Sequence, residues 1–529
     1  MSLPTASLLL AIGAGLALGG CVSRSLLSQS ESPQAGSPTI VALRARCTNA
    51  RVIGIEWDWP SPNSMRVDYQ VRRNGRLLGL TRTTEYLDSF VEPSTSYTYE
   101  IDAAPVLGRR RSSAPLTVRT PADSSKGDAP GCPSRLFAGM RWSWADGYTQ
   151  ANGSDLWPVT WASDGAVYSF FGDGGGFGGD DHTGRTSFGI ARLSLSSVVE
   201  SGPLRVVGTN VYGGFASLHP AILSGKAGSI LAVGDDFYAV GGIFGRADGL
   251  TVPTALKSGS PDHVELVYSK GNAFSWVPVP WHFCSLHRDK AANGSALRLA
   301  GDFCPITFVG FGRANAGAPD GYVYLTGVRN SRAIWRNNPG SAPAMSFLVR
   351  VPRDGLRRRS AYEFYAGVDR AGRPRWTPDT RQMQPIFVDR NPDRSGCDGR
   401  CDMSSVFVDV VYLPVLRRYL AVAQGRYVAQ TSFYEAATLW GPWSVVAYDN
   451  IDPATGEGGW AHLGAHAGEA LGVHPVCAWM SDDNRVLYMT YSSNGVAPAE
   501  SSFPPSGTDM DSFNLVKVDL ELMPNAGEP

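Results

Sequence analysis

Five times along this chain an apolar run meets a tight turn and is answered by a second strand rich in aromatic or β-branched residues. The first pair is 158–161 and 166–171, around Ser163-Asp164-Gly165. The second is 230–233 and 237–240, around Gly234-Asp235-Asp236. The third joins 306–311 to 322–325, the fourth 406–412 to 418–422, and the fifth 476–480 to 486–489. Hairpins recurring every roughly 70 to 100 residues are too widely spaced for a solenoid and suit propeller blades with long insertions. The pattern predicts an all-β chain containing a five-bladed β-propeller, with any site on its central axis.

At 529 residues the chain is long for a single core and predicts two or more domains. Its 60 Gly, 36 Pro and 10% aromatic residues go with turn-rich β structure, and no long amphipathic helical period interrupts it. A formal net charge of −1 gives no global field to draw the chain to nucleic acid or an anionic membrane. The short basic clusters Arg109-Arg110-Arg111 and Arg357-Arg358-Arg359 read as solvated turns, so no nucleic-acid partner is expected and the chain reads as a monomer.

Residues 8–18 are apolar, too short to span a bilayer and of the length of a signal-peptide core. They lead into Leu18-Gly19-Gly20-Cys21, which resembles the lipobox of bacterial lipoproteins. The resemblance implies cleavage after residue 20, lipidation of Cys21, and membrane contact through a lipid anchor only. Val22-Ser23, with no Asp after the cysteine, goes with the outer membrane. A Ser- and Gln-rich tether follows over 22–37. In an exported chain neighbouring cysteines are expected to pair. Cys397 with Cys401, and Cys284 with Cys304, would each close a local loop, Cys47 with Cys132 stays open, and Cys477 in an apolar run reads as core. No CxxC pair with matching His spacing is present, so neither a metal nor a cofactor is expected.

Residues 38–120 read as a small β-sandwich: alternating runs at 52–57, 69–73 and 95–101 are bounded by turn residues, with the hairpin dipeptide Asn74-Gly75. Trp57 followed by Pro60, Tyr69 and Val71 before that turn, and Tyr97 resemble the core Trp, third strand and tyrosine corner of a fibronectin type III domain. Such a module is expected to act as a spacer, joined by a linker over 121–131 to the propeller over 132–529.

The start of each blade's first strand faces the axis, which nominates Asp155, with Lys226 and His474 as substrate-binding groups and Asp302 and Asp402 as their nearest polar equivalents in blades three and four. Carboxylates converging on one axis suit glycosidic cleavage, in which one carboxyl group protonates the leaving oxygen and another activates water or attacks the sugar. Asp155 stands beside Trp157 and Pro158, a setting that would desolvate it and raise its pKa, and Trp157 could stack on a sugar. Blade one then runs into the Gly-rich stretch 171–182, with Asp173 at its base. This stretch contains GxGxxG but is followed by a strand, which excludes a dinucleotide fingerprint.

Asp155-Leu156-Trp157-Pro158 with Gly172-Asp173-Gly174, the 320–324 and 362–367 stretches, and Tyr434-Glu435-Ala436 with Trp440-Gly441-Pro442-Trp443 resemble bacterial exported propellers related to endo-D-arabinanases. The resemblance implies hydrolysis of a furanoside, with Asp155 as a catalytic carboxylate and a Glu acid from a later blade, Glu363 or Glu435; Asp173, from its place at the base of the Gly-rich stretch, is the further catalytic candidate. The expectation is therefore an exported glycoside hydrolase acting on a polysaccharide, one containing arabinofuranose being the first candidate. Its alternative is a non-catalytic propeller that binds glycans at the cell surface.

Overall fold

The structure, a computed structural model, describes residues 41–59, 67–105, 110–124, 127–196, 205–246, 263–285, 303–329, 344–369, 372–391, 405–424, 431–448, 471–492 and 512–524. Among them there are strands and short 3-10 turns but no α-helix, and no helix long and apolar enough to cross a membrane.

The N-terminal part is a two-sheet sandwich. One sheet orders Val41–Thr48, Ile53–Asp58 and Glu85–Asp88. The other pairs Arg76–Thr81, Val67–Arg73 and Ser96–Pro105, with Arg111–Ser112 and Leu116–Arg119 at its edge. The alternation in Val67–Arg73 and Ser96–Pro105 sends Tyr69, Val71, Tyr99 and Ile101 inward against Trp57. The Tyr97 hydroxyl accepts from the Glu92 amide five residues upstream at 2.8 Å, which pins the corner between the sheets.

The rest of the described chain builds antiparallel four-stranded groups. Sheet I is Asp155–Trp161, Val167–Gly172, Gly189–Ser196 and Arg205–Tyr212; sheet II is Leu223–Val233, Asp236–Arg246, His263–Ser269 and Trp276–Ser285. Sheet III starts with Cys304–Gly310, Tyr322–Val328, Ala344–Pro352 and Glu363–Val368. Sheet IV is Val406–Leu413, Arg418–Gln424, Thr431–Ala436 and Ser444–Ala447. III and IV are joined by a short parallel pairing of Val309 with Val410. Sheet V takes Leu471–Pro475, Val486–Ser492 and Phe513–Leu522 from the C-terminal part and closes with Phe137–Gln150 from before sheet I. The first strands of I to V touch in order, and the fifth returns to the first. The ring thus closes by sharing one sheet between early and late chain.

Buried polar groups clasp each junction. The Ala232 amide donates to Thr160 Oγ1 (2.8 Å), and Thr307 Oγ1 and the Phe308 amide meet Ser229 Oγ (both 3.1 Å). The Phe407 amide donates to Ser346 Oγ (2.9 Å), and Thr490 Oγ1 donates to Trp157 O (2.8 Å). Down the axis the strands leave a cavity of about 30 Å³, room for roughly one water, lined by apolar groups such as Ile230, Phe308, Val411 and Val476 and by Thr160, Ser229 and Asp409.

Two expectations change. The fifth hairpin's first strand is Leu471–Pro475; the apolar run at 476–480 instead contains the 3-10 turn Cys477–Trp479. And the sandwich is not a loosely strung spacer. Cys47 and Cys132 are disulfide-bonded across 85 residues. Cys132–Pro133 adds to sheet IV, and Arg46 reaches Glu85, Pro133 O and Ser444 Oγ. Arg390 donates to Val91 O and to Glu92, and Asn391 exchanges hydrogen bonds with the backbone of Asp128. Cys304 is also disulfide-bonded, and Cys477 is free; the side chains of Cys284, Cys397 and Cys401, and all of Cys21, lie outside the described residues.

Breaking the covalent clasp should be costly, because it closes a long loop of the unfolded chain. Cys47→Ser is expected to lower the unfolding free energy by about 2–4 kcal/mol, read by denaturant titration of oxidised protein; an unchanged midpoint would show that the noncovalent contacts alone hold the module.

Candidate active site

At the mouth of the ring Asp155 opens the first strand of sheet I, paired in register with Gly172 at the end of the second. The register slips between Leu156 and Val159, and Leu156 (φ 81°) and Trp157 (φ 54°) both take left-handed backbone. Bulky residues rarely accept this conformation, and such strain gathers where a side chain must be aimed. The bulge turns Trp157 wholly inward, where its ring stacks on Phe171 at 5.4 Å and meets Phe177 and Phe513 edge-on. Its Nε1 donates to Ser154 O. Trp157 is therefore core and cannot serve as a sugar platform, contrary to the sequence expectation.

The Gly-rich stretch is a packed cradle. A Cβ on Gly174 would run into Gly153 O and Ser154 Oγ, and one on Gly175 into Thr183 O. Buried Asn210 holds the cradle: its Oδ1 accepts from the Phe177 amide (3.0 Å), and its Nδ2 donates to Gly175 O, Phe177 O and Phe215 O. The Gly176 amide donates to Ser154 Oγ (2.9 Å). Asp173, itself left-handed (φ 56°), is thereby aimed from a fixed loop.

Lys226, from the first strand of sheet II, joins the two carboxylates. Its Nζ lies 2.6 Å from Asp155 Oδ2 and 2.5 Å from Asp173 Oδ2. Because one nitrogen touches both, the two oxygens are at most about 5 Å apart, short of the roughly 6.5 Å or more that separates inverting glycosidase pairs. Asp155 is 3% exposed, and its Oδ1 is buried without a hydrogen-bond partner. Burial raises its pKa, Lys226 pulls it down, Asp173 pushes it up, and the net direction is upward. Burial works against the Lys226 ammonium, but the two carboxylates outweigh it and raise its pKa. Asp173 and Lys226 keep about a third of their side chains open to solvent (32% and 30%).

His474, from the first strand of sheet V, is buried, with Nδ1 2.7 Å from Asp409 Oδ2 on the first strand of sheet IV. A Cβ on Gly472 would meet His474 Nε2 at 2.6 Å and Leu156 O at 3.0 Å, so the dyad lies beside the strained backbone that carries Asp155. Asp409 and Asn210 escaped the sequence reading: each sits inside a strand, where a polar residue among apolar neighbours was the available signal. Glu363 is not brought to this mouth. It lies on the fourth strand of sheet III, three strands out from the axis, ion-paired with Arg350 at 2.8 Å. Glu435, on the third strand of sheet IV, accepts from Ser134 Oγ and pairs with Arg418, anchoring the linker. Asp302 and Asp402 lie outside the described residues. Among the described residues no group of three or more His, Cys, Asp or Glu could hold a metal ion.

No family model matches the chain. Over 92 residues, 17% of its length, it is 35% identical to an α-amylase of Niallia circulans, and it spans 7% of that protein. Among solved structures, RS223-β-xylosidase is similar over 71% of this chain and 98% of its own, with a TM-score of 0.37 and 11% identity. The GH43_1 enzyme from Xanthomonas citri complexed with xylose is similar over 70% and 91%, with a TM-score of 0.35 and 11% identity. The 6th fibronectin type III domain from human fibronectin type III domain containing protein 3 is similar over 19% of this chain and all of its own, with a TM-score of 0.17 and 20% identity. None of these likenesses is close enough to carry an argument, and the chemistry rests on the side chains.

Asn210→Ala would leave several cradle groups unpaired at about 1–3 kcal/mol for each buried one. The expected outcome is faster hydrogen exchange at the Phe177 amide and a lower melting temperature. Unchanged exchange there would mean that the glycine packing alone holds the loop.

Proposed function

We propose that this chain is a glycoside hydrolase whose catalytic carboxyl groups are Asp155 and Asp173, set at the mouth of a five-bladed propeller. The observation that carries the reading is the single ammonium of Lys226 seated between two carboxylates, one buried and one open to solvent. With both ionised the three groups carry net charge −1 in a partly dry site; a proton on Asp155 makes them neutral. Burial favours that proton, and the unpartnered Oδ1 offers it a place. Asp155 then acts as general acid, giving its proton to the glycosidic oxygen as the C–O bond breaks. Asp173, the more exposed of the two, attacks the anomeric carbon. Water, deprotonated by the now ionised Asp155, releases the sugar with retained configuration.

An arabinofuranose-containing polysaccharide is the substrate proposed on the sequence resemblance. The lipobox-like residues before Cys21 support export with a lipid anchor at the outer membrane, and the disulfide between Cys47 and Cys132 independently supports an oxidising compartment.

Asp155→Asn and Asp173→Asn are each expected to lower kcat/KM on a cleaved arabinan by about 10²- to 10⁴-fold, roughly 3–5 kcal/mol of barrier. Either variant retaining full activity removes that residue from the mechanism. Activity should fall as pH rises through the raised pKa of Asp155, since the acid must hold its proton. Lys226 lowers that pKa, so Lys226→Met should move the alkaline limb to higher pH while Lys226→Arg restores it; an unmoved limb assigns the limb to another group. For the anchor, Cys21→Ala should release the protein from the membrane fraction, and unchanged fractionation would refute lipidation.

A further inference from the structure

The connection from sheet I to sheet II, residues 213–222, begins directly after the strand whose Asn210 holds the Gly-rich cradle and ends four residues before Lys226. It is unusually apolar for an exposed segment. Phe215 is 43% exposed, Leu218 90% and Ile222 59%, and His219 stacks face to face on exposed Phe274 at a centroid distance of 4.0 Å and 6°. Exposed apolar side chains concentrated on one loop mark a binding surface rather than chance.

Phe215 is fixed to the same cradle that presents Asp173. Its amide donates to Gly175 O at 2.8 Å, and its carbonyl accepts from Asn210 Nδ2 at 2.9 Å. Gly175 is two residues from Asp173, so their Cα atoms are separated by at most about 7.6 Å. The side of Phe215 that meets the cradle is floored by glycine. A Cβ on Gly178 would lie 3.3 Å from Phe215 Cδ1, and one on Gly184 would meet Phe215 Cα at 2.6 Å. Glycines let the loops approach closely, and the rest of the ring stays open to solvent.

We infer that this loop is a glycan platform: Phe215 binds a sugar unit of a chain whose scissile bond lies at Asp155 and Asp173. A sugar presents an apolar C–H face bordered by hydroxyls. A rigid aromatic ring takes that face at little entropic cost, while the carboxylates and ammonium take the polar edge. The inference rests on the hydrolase reading and adds a subsite to it, selecting a polymer over a single sugar.

The test uses full-length Asp155→Asn protein, in which turnover is slowed about 10²- to 10⁴-fold, and arabinan as probe in affinity gel electrophoresis. Adding Phe215→Ala should weaken retardation roughly fivefold or more, and Phe215→Trp should preserve it, with matching melting temperatures excluding misfolding. Equal retardation of Asp155→Asn with and without Phe215→Ala overturns the platform and leaves hydrolysis standing. Retardation that depends on Phe215, in a protein whose wild type cleaves no arabinan, supports the platform while removing the enzyme reading.

Discussion

The ammonium of Lys226 is what allows two carboxylates to share the mouth of this ring. Two like charges about 5 Å apart repel by roughly 3 kcal/mol at an effective dielectric of about 20, and by more where water is excluded. Without a cation between them, Asp155 and Asp173 would separate or one would stay protonated far above the usual range. With it, the pair holds short contacts of 2.6 and 2.5 Å, and the balance between burial, ammonium and neighbouring carboxylate decides where one proton sits. A site poised on such a balance suits acid–base work better than it suits structure, since a purely structural triad would gain from satisfying Asp155 Oδ1.

That balance needs three pieces of backbone held to a fraction of an ångström: the bulged start of sheet I, the Gly-rich cradle, and the first strand of sheet II. The ring closure supplies this. Thr160 ties sheet I to sheet II, Thr490 ties sheet V to the carbonyl of Trp157, and the His474–Asp409 pair braces the strand beside Leu156. The left-handed backbone at Leu156 and Trp157 is tolerable only because Trp157 is then buried among Phe171, Phe177 and Phe513. The docked sandwich adds a further constraint at the far side, through its disulfide and its hydrogen bonds to sheets III and IV.

Much of the strand framework was legible because alternation and turn residues are local. Four of the five first strands overlap the apolar runs that announce them. The fifth does not, because the run after Val476 forms a half-buried 3-10 turn, and an apolar run alone does not distinguish a strand from a turn. Asp155, Lys226 and Asp173 were legible from position, being polar residues at strand starts or loop bases. What joined them was not: Lys226 reads as a substrate ligand until its distance to both carboxylates is known. Trp157 misled because an alternating aromatic beside an acidic residue looks alike whether it faces sugar or core, and only the bulge decides. Glu363 misled because a motif-like setting says nothing of distance from the axis. Asp409 and Asn210 act through partners remote in sequence, and Asn210 joins loops that a linear reading treats as separate.

If Asp173 bonds to the sugar while Asp155 holds the proton, an arabinofuranose-configured epoxide should label the protein at one place, mapped by peptide mass spectrometry. The expected product is a single ester on Asp173, with the label absent from Asp173→Asn protein. A label on Asp155 would reverse the two roles, and a label on any residue outside this pair would contradict the site.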